Sequence, residues 1–228
     1  MADLSVNIAG VALKNPLIAA SGAFGFGEEY SAFYPISVLG GVSSKGLTLA
    51  PRPGNPPPRI AETPSGMLNS VGLQTPGVEH FLKHDLPYLA QQDTVKIANI
   101  AGSCIEDYCA IAERLSESEI DMFELNISCP NVKQGGAAFG TSRESAEKVV
   151  KEVRRYAKKP MIVKLTPNVT DIASIAQAVE AQGAEAVSLI HTLLGTSNDN
   201  KSRRPLFKTR GGGQTGPDQF QESMRNVW

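Results

Sequence analysis

Short apolar runs, each about as long as a buried strand, alternate along this chain with amphipathic helical stretches. No other feature restricts the fold as much. The runs are Asn15–Ala20, Ser37–Val42, Val95–Ile100, Asp121–Asn126, Pro160–Leu165 and Ala186–Ile190. They show little polar alternation, as expected of parallel strands covered on both faces. Between them, Glu106 to Glu117 carries apolar residues at helical spacing around Ile105, Tyr108, Cys109 and Ala112. Thr141-Ser-Arg-Glu144 reads as a capping box with Thr141 at the cap, opening a helix whose buried stripe is Ala146, Val149, Val150, Val153 and Ala157. Asp171 to Gln182 repeats the pattern with Ile172, Ile175, Ala176 and Val179, and Gly183 suits a left-handed exit. Strand and helix in alternation predict an α/β protein built on a parallel sheet. Before the first run, Leu4–Ile8 and Val11–Leu13 flank Ala9-Gly10, which predicts a β-hairpin plugging the base of a barrel.

Two segments interrupt the alternation. Residues 49–77 are rich in Pro and Gly and nearly without periodicity, so they are expected to form a long binding loop or lid, or to be disordered. Residues 196–228 have few apolar side chains and are expected to pack poorly. Composition narrows the function classes. The formal net charge is −1, with 22 basic and 23 acidic residues, which argues against a protein that binds nucleic acid by neutralising phosphates. No apolar run approaches the roughly 18 residues of a membrane helix, and Met1-Ala2-Asp3-Leu4 does not begin a signal peptide. Three cysteines without a CxxC pair point to a reducing, cytoplasmic setting.

The C-terminal ends of the runs carry the chemistry. They deliver Ser21, Lys45, Asn99, Asn126, Lys164 and the pair His191-Thr192. In a (β/α)8 barrel these positions converge on the catalytic face. A lysine within or just beyond an apolar strand needs an anionic or polar partner there. In Asn126-Ile-Ser-Cys-Pro-Asn131, Cys129 directly follows a strand, where a thiol with a reference pKa of about 8.5 can serve as base or nucleophile. Cys104 and Cys109 read as packing residues. Asn69-Ser-Val-Gly-Leu73 offers backbone amides, an amide side chain and a hydroxyl to a small planar ligand with carbonyls and a carboxylate. Gly211–Gly216 fits G-x-G-x-x-G but lacks the preceding strand and the following acidic residue of a dinucleotide site. His80 and His84 lie four residues apart without an evident third metal ligand.

Five stretches together resemble class 1 dihydroorotate dehydrogenase, nearest to the catalytic subunit of its NAD-linked B type. They are Ser43-Ser-Lys-Gly46, Asn69-Ser-Val-Gly-Leu-Gln74, Ile97-Ala-Asn-Ile100, Glu124-Leu-Asn-Ile-Ser-Cys-Pro-Asn-Val132 and Val163-Lys-Leu-Thr-Pro-Asn168, in the family's order. The resemblance implies a single (β/α)8 barrel domain over 1–228. It implies FMN at the mouth, touched by Ser21, Lys45, Gly46, Asn99, Asn126, Lys164, Ile190 and Gly216. Dihydroorotate or orotate would be held by Lys45, Asn69, Ser70, Val71, Gly72, Leu73, Asn126, His191 and Thr192, with Cys129 as the base. Family members usually carry Asn where this chain has His191. The reaction implied is oxidation of dihydroorotate to orotate in pyrimidine biosynthesis. Its partners would be a second copy, as a homodimer, and a subunit carrying FAD and a [2Fe–2S] cluster that passes electrons to NAD. Against the family pattern the last two strand–helix units are expected to be missing. The readings that compete are a non-catalytic remnant of such an enzyme and a related FMN-dependent dehydrogenase of other dihydropyrimidines.

Overall fold

In the computed structural model, which describes residues 2–128 and 139–228, the chain opens with a hairpin of β1 (Val6–Ile8) and β2 (Val11–Leu13). The two-residue turn between them needs left-handed backbone, and Ala9 and Gly10 have φ of 52° and 85°. Strands β3 (Ile18–Ala19) and β4 (Gly41–Ser43) follow, then β5 (Ile60–Thr63), β6 (Gly66–Asn69), β7 (Val95–Ile100), β8 (Met122–Asn126), β9 (Met161–Lys164) and β10 (Ala186–Ser188). The chain ends with β11 (Leu193–Gly195), the short pair β12 (Asn198–Asp199) and β13 (Arg204–Pro205), and β14 (Gly212–Thr215). A six-stranded parallel sheet has the order β3-β4-β7-β8-β9-β10. It is an arc of a TIM barrel, and the α/β expectation holds. Every predicted run contributes a strand, although Ile36–Val38 in the second forms a 3-10 turn and the strand begins only at Gly41.

The period of two along a strand sorts the side chains into two faces. One face of the sheet, with Val42, Ala98, Ile100, Phe123, Leu125, Met161 and Val163, packs against the outer helices. Those helices are Ile105–Ser116, Arg143–Arg154 and Ile172–Ala181, which bury Ile111 and Leu115, Val149 and Val153, and Ile175 and Val179. The other face carries Ile97, Met122 and Ile162, packed with Ile8 and Val11 of the hairpin. The predicted plug therefore closes the base of the barrel arc. Two residues further along the same strands, the inner face turns polar.

Two local expectations change. The helix at 143–154 is capped by Ser142, whose side chain accepts from the Ser145 N–H, so the cap lies one residue beyond Thr141. Its position is set by where the chain leaves the 3-10 turn Phe139–Thr141. Residues 49–77 are not a structureless loop. They contain the β5–β6 hairpin, and the backbone pairs Arg52 with Thr75 and Asn55 with Val71. Arg59 binds the carbonyls of Asn55 and Pro53 and the amide of Gln74. Pairing and one guanidinium order this stretch, and neither leaves a hydrophobic period. The tail packs as poorly as its composition suggests, with Phe207 its one buried residue among the described side chains. β14 joins the antiparallel sheet β5-β6-β14-β11, whereas the helix Phe220–Val227 buries no residue.

Ser142→Ala should lower stability by about 1 kcal/mol in urea denaturation, because it removes the side-chain acceptor that caps this helix N-terminus. A change near zero would return the cap to Thr141.

Candidate functional site

Glu124 sits on β8 two residues past Met122, and burial places its carboxylate inside the barrel arc. A buried carboxylate needs donors, and three strands supply them. Ser43 Oγ on β4 and Asn99 Nδ2 on β7 donate to Oε2 at 2.7 and 2.6 Å, and Ser188 Oγ on β10 donates to Oε1 at 2.8 Å. Burial pushes this carboxyl up, but the Lys164 ammonium and the three hydrogen bonds outweigh it and hold the group below the usual glutamate range. Glu124 is thus the anionic partner that the buried Lys164 requires. It has no place among the sequence candidates. Its signal was an acidic residue inside an apolar run, in step with Asn126.

A polar ladder climbs from this layer. Asn126 Nδ2 donates to Asn99 Oδ1 at 3.4 Å, and Asn126 Oδ1 accepts from Ser128 Oγ and N at 2.6 and 3.2 Å. Tyr108 on the outer helix donates its hydroxyl to the Asn126 carbonyl at 2.8 Å, tying the helix layer to the strand end. Above lies a cavity of about 310 Å³ lined by Lys45, Asn69, Ser70, Val71, Gly72, Leu73, Asn126, His191 and Thr192. Every residue predicted to hold a substrate is there. Asn55, Asn168, Leu194, Thr209 and Gly211–Gly213 complete the wall.

The antiparallel sheet delivers the far wall. Gly213 pairs with Asn69 across β14 and β6. A Cβ at Gly213 would fall 2.2 Å from Thr192 Oγ1, and one at Gly212 would fall 2.5 Å from the Asn69 carbonyl oxygen. The glycine triplet is therefore a strand packed edge-on against the site rather than a dinucleotide turn. Asn168 bridges the two sheets: its Nδ2 donates to the Thr192 carbonyl at 3.0 Å, and its Oδ1 accepts from Leu194 N at 2.9 Å. It ended a quoted motif but had no assigned role.

The residues predicted to touch a cofactor divide. Lys45 and Asn126 line the cavity; Asn99 and Lys164 form the buried layer beneath it. Gly46 is wedged so that a Cβ would lie 3.1 Å from Leu73 and 3.2 Å from Asn99 Oδ1. Ser21 precedes Gly22, whose Cβ position is 3.7 Å from Lys45 Nζ. Ile190 is half-buried beside His191. Gly216 lies apart, against Ser65 and Gly66 at the β5–β6 turn. Cys129 lies outside the described residues. Cys104 is an N-cap, and burial pushes both its thiol and that of Cys109 up, away from reactivity. His80 bonds Asp85 at 3.1 Å, and among the described residues no cluster suited to a metal ion occurs. No helix among them is long and apolar enough to cross a membrane.

His191 is the cavity's electrostatic outlier. Burial first, then the Lys164 ammonium, lower its pKa to about 4; Glu124 pulls the other way, and Lys45 adds a smaller lowering. At neutral pH it is an uncharged imidazole in the field of Lys164, Glu124 and Lys45.

Known proteins are similar to this chain. The family described as dihydroorotate dehydrogenase matches residues 3–228. A protein of Alkaliphilus oremlandii named dihydroorotate dehydrogenase B (NAD(+)), catalytic subunit, is 53% identical over 99% of this chain and 75% of its own length. One of the same name from Bacteroides thetaiotaomicron is 54% identical over 100% of this chain and 76% of its own. The crystal structure of the Eimeria tenella dihydroorotate dehydrogenase in complex with ferulenol superposes with a TM-score of 0.74 at 20% identity. That likeness covers 95% of this chain and 66% of the other, and it supports the fold alone.

The unfolded chain protonates the His191 imidazole from about pH 6.5 downward, the folded protein only near 4. Between those values the unfolded state binds more protons, so stability falls as pH drops. His191→Asn should flatten that fall by on the order of 2 kcal/mol, read as urea midpoints across pH. It should leave the loss below the glutamate range, where Glu124 protonates, in place. An unchanged slope between pH 6.5 and 4 would contradict the depressed value.

Proposed function

Because the chain belongs to the dihydroorotate dehydrogenase family, we propose that it oxidises dihydroorotate to orotate in pyrimidine synthesis, as the FMN-bearing catalytic subunit of the NAD-linked B type. The observation that carries this reading is the cavity itself, which gathers Lys45, Asn69, Asn126, His191 and Thr192 above the Glu124–Lys164 layer. The ligand it suits is a planar ring bearing carbonyls, N–H groups and one carboxylate. Lys45 supplies a cation for the carboxylate. Asn69 offers an amide with a donor and an acceptor on one plane, and Asn126 adds an N–H donor. The backbone of Ser70–Leu73 closes one edge, and Leu73 adds an apolar surface for the ring.

The buried layer fits a flavin. Lys164 gives a fixed cation at one end of the strands beside the Asn99–Asn126 pair, and at Gly46 a Cβ would crowd Leu73 at 3.1 Å and Asn99 at 3.2 Å. When bound, FMN supplies the acceptor for the hydride leaving C6. Lys164 stabilises negative charge near it, in a site where water is excluded and a preoriented charge acts strongly. Cys129, by the family resemblance, takes the proton from C5 on the opposite ring face. His191 stays neutral, so it orients the substrate by hydrogen bonding and adds no third positive charge. A partner subunit with FAD and a [2Fe–2S] cluster would take up the electrons, in an assembly built on a homodimer in the cytoplasm.

Purified with FMN, the protein should reduce a dye when given dihydroorotate, faster than with dihydrouracil. Cys129→Ala should cut turnover by about 10²- to 10⁴-fold while leaving the flavin spectrum unchanged. Lys45→Ala should chiefly weaken substrate binding. A protein that takes up no FMN, or a Cys129→Ala variant that turns over like wild type, would sink the proposal.

A further inference from the structure

A carboxylate only accepts hydrogen bonds. The Asn99 group 2.6 Å from Glu124 Oε2 must therefore be its NH2, which turns Asn99 Oδ1 away from Glu124. That oxygen receives Asn126 Nδ2. Asn126 Oδ1 is held by both donors of Ser128, so its amide has no freedom to flip. The donors run in one direction, from Asn126 to Asn99 to Glu124. Asn126 stands at the cavity wall with its oxygen taken and one amide hydrogen used, leaving the second hydrogen for the ligand.

We propose that Glu124 is a positioning residue: by fixing the direction of the Asn126–Asn99 chain it makes Asn126 meet the bound ring as an N–H donor, so that the site selects a ring carbonyl at that point. The assignment rests on the proposed function for the identity of the ring and on the hydrogen-bond geometry for the rest. Glu124 does not line the cavity; it is buried among donors from strands far apart in the sequence. Its ionised state is maintained by Lys164 and the three donors, so the direction of the chain is stable at neutral pH.

The test exploits polarity rather than loss. Glu124→Gln places an amide among donors and allows Asn99 to flip, which would turn its NH2 toward Asn126 or leave a donor unmatched. Orotate affinity of the FMN-loaded protein should fall about tenfold, the usual cost of one mispaired buried hydrogen bond. Adding Asn99→Asp moves the carboxylate one step up the chain. The amide introduced at position 124 then donates to the carboxylate introduced at position 99. That carboxylate also accepts from Asn126, so the direction at the cavity is restored. Because Asn99 borders the flavin layer, FMN occupancy is first matched to wild type by the flavin spectrum; at equal occupancy the double variant E124Q/N99D should regain orotate affinity to within about threefold of wild type.

A merely structural role predicts the reverse, a double variant at least as weak as the single one. That result in folded protein, or wild-type affinity in Glu124→Gln alone, would overturn the proposal. Should Glu124→Gln fail to fold, the double variant decides alone: near-wild-type affinity supports the assignment and a tenfold loss refutes it. The side-chain amide resonances of Asn99 and Asn126 in ligand-free protein give a readout independent of any ligand. Both should shift in Glu124→Gln, and that of Asn126 should return in the double variant. If wild type binds no orotate yet the resonances behave so, the functional reading fails and the positioning role stands. Resonances that ignore Glu124→Gln would overturn the positioning role itself.

Discussion

A negative charge buried in a barrel interior organises this protein. The carboxylate of Glu124 can sit among apolar layers only because Ser43, Asn99 and Ser188 donate to it and Lys164 lies near enough to offset its charge. Those groups come from β4, β7, β9 and β10, on either side of β8. A slip of one residue in any of these strands would turn its polar group out toward the helices and deprive the carboxylate of that partner. The same slip would turn Ala98, Phe123 or Val163 inward. Hydrophobic sorting and polar pairing thus demand one register, and each reinforces the other.

The layer beneath and the cavity above follow from that register. Ile97, Met122 and Ile162 precede the polar tier by two residues and meet the N-terminal hairpin, which keeps water from the underside of the carboxylate. Asn126 follows Glu124 by two residues and reaches the cavity. Barrel floor, charge and binding wall are therefore consecutive inward positions of β8: Met122, Glu124 and Asn126. The far wall has a different origin. It comes from an antiparallel sheet whose strands lie far apart in the chain, β6 near residue 67 and β14 near residue 213. Glycines allow those strands to press against Thr192 and Asn69, and Asn168 links them to the barrel. This second sheet gives the site a wall that the parallel strands alone do not provide.

Both sheets matter to the chemistry proposed for the site. The barrel side contributes charge: Lys45, Lys164 and the carboxylate that balances them. The antiparallel side contributes shape and neutral hydrogen bonding through Asn69, Ser70 and the glycine strand. His191 stands where the two meet, and burial together with the cations around it keeps it uncharged. A substrate carrying one carboxylate and several carbonyl and N–H groups would use both sides together.

The alternation of apolar runs and amphipathic stretches determined the α/β class, the strand identities, the hairpin plug and the set of polar groups at the strand ends. Those features are local: burial on two faces writes a continuous apolar run, and a helix writes its own period. The motif stretches likewise named the cavity residues, since strand ends and their adjoining loops are contiguous in the chain. Only the tertiary structure decided the rest. The β5–β6 hairpin and the tail lack a period because their order comes from pairing with each other and from Arg59, partners distant in sequence. The cap fell on Ser142 rather than Thr141 because the preceding turn sets the start of the helix. In the sequence Glu124 is one acidic residue inside an apolar run, and it becomes the hub of the site only when four separated strands bring their polar groups to it, because compensation of a buried charge is a property of three-dimensional neighbours.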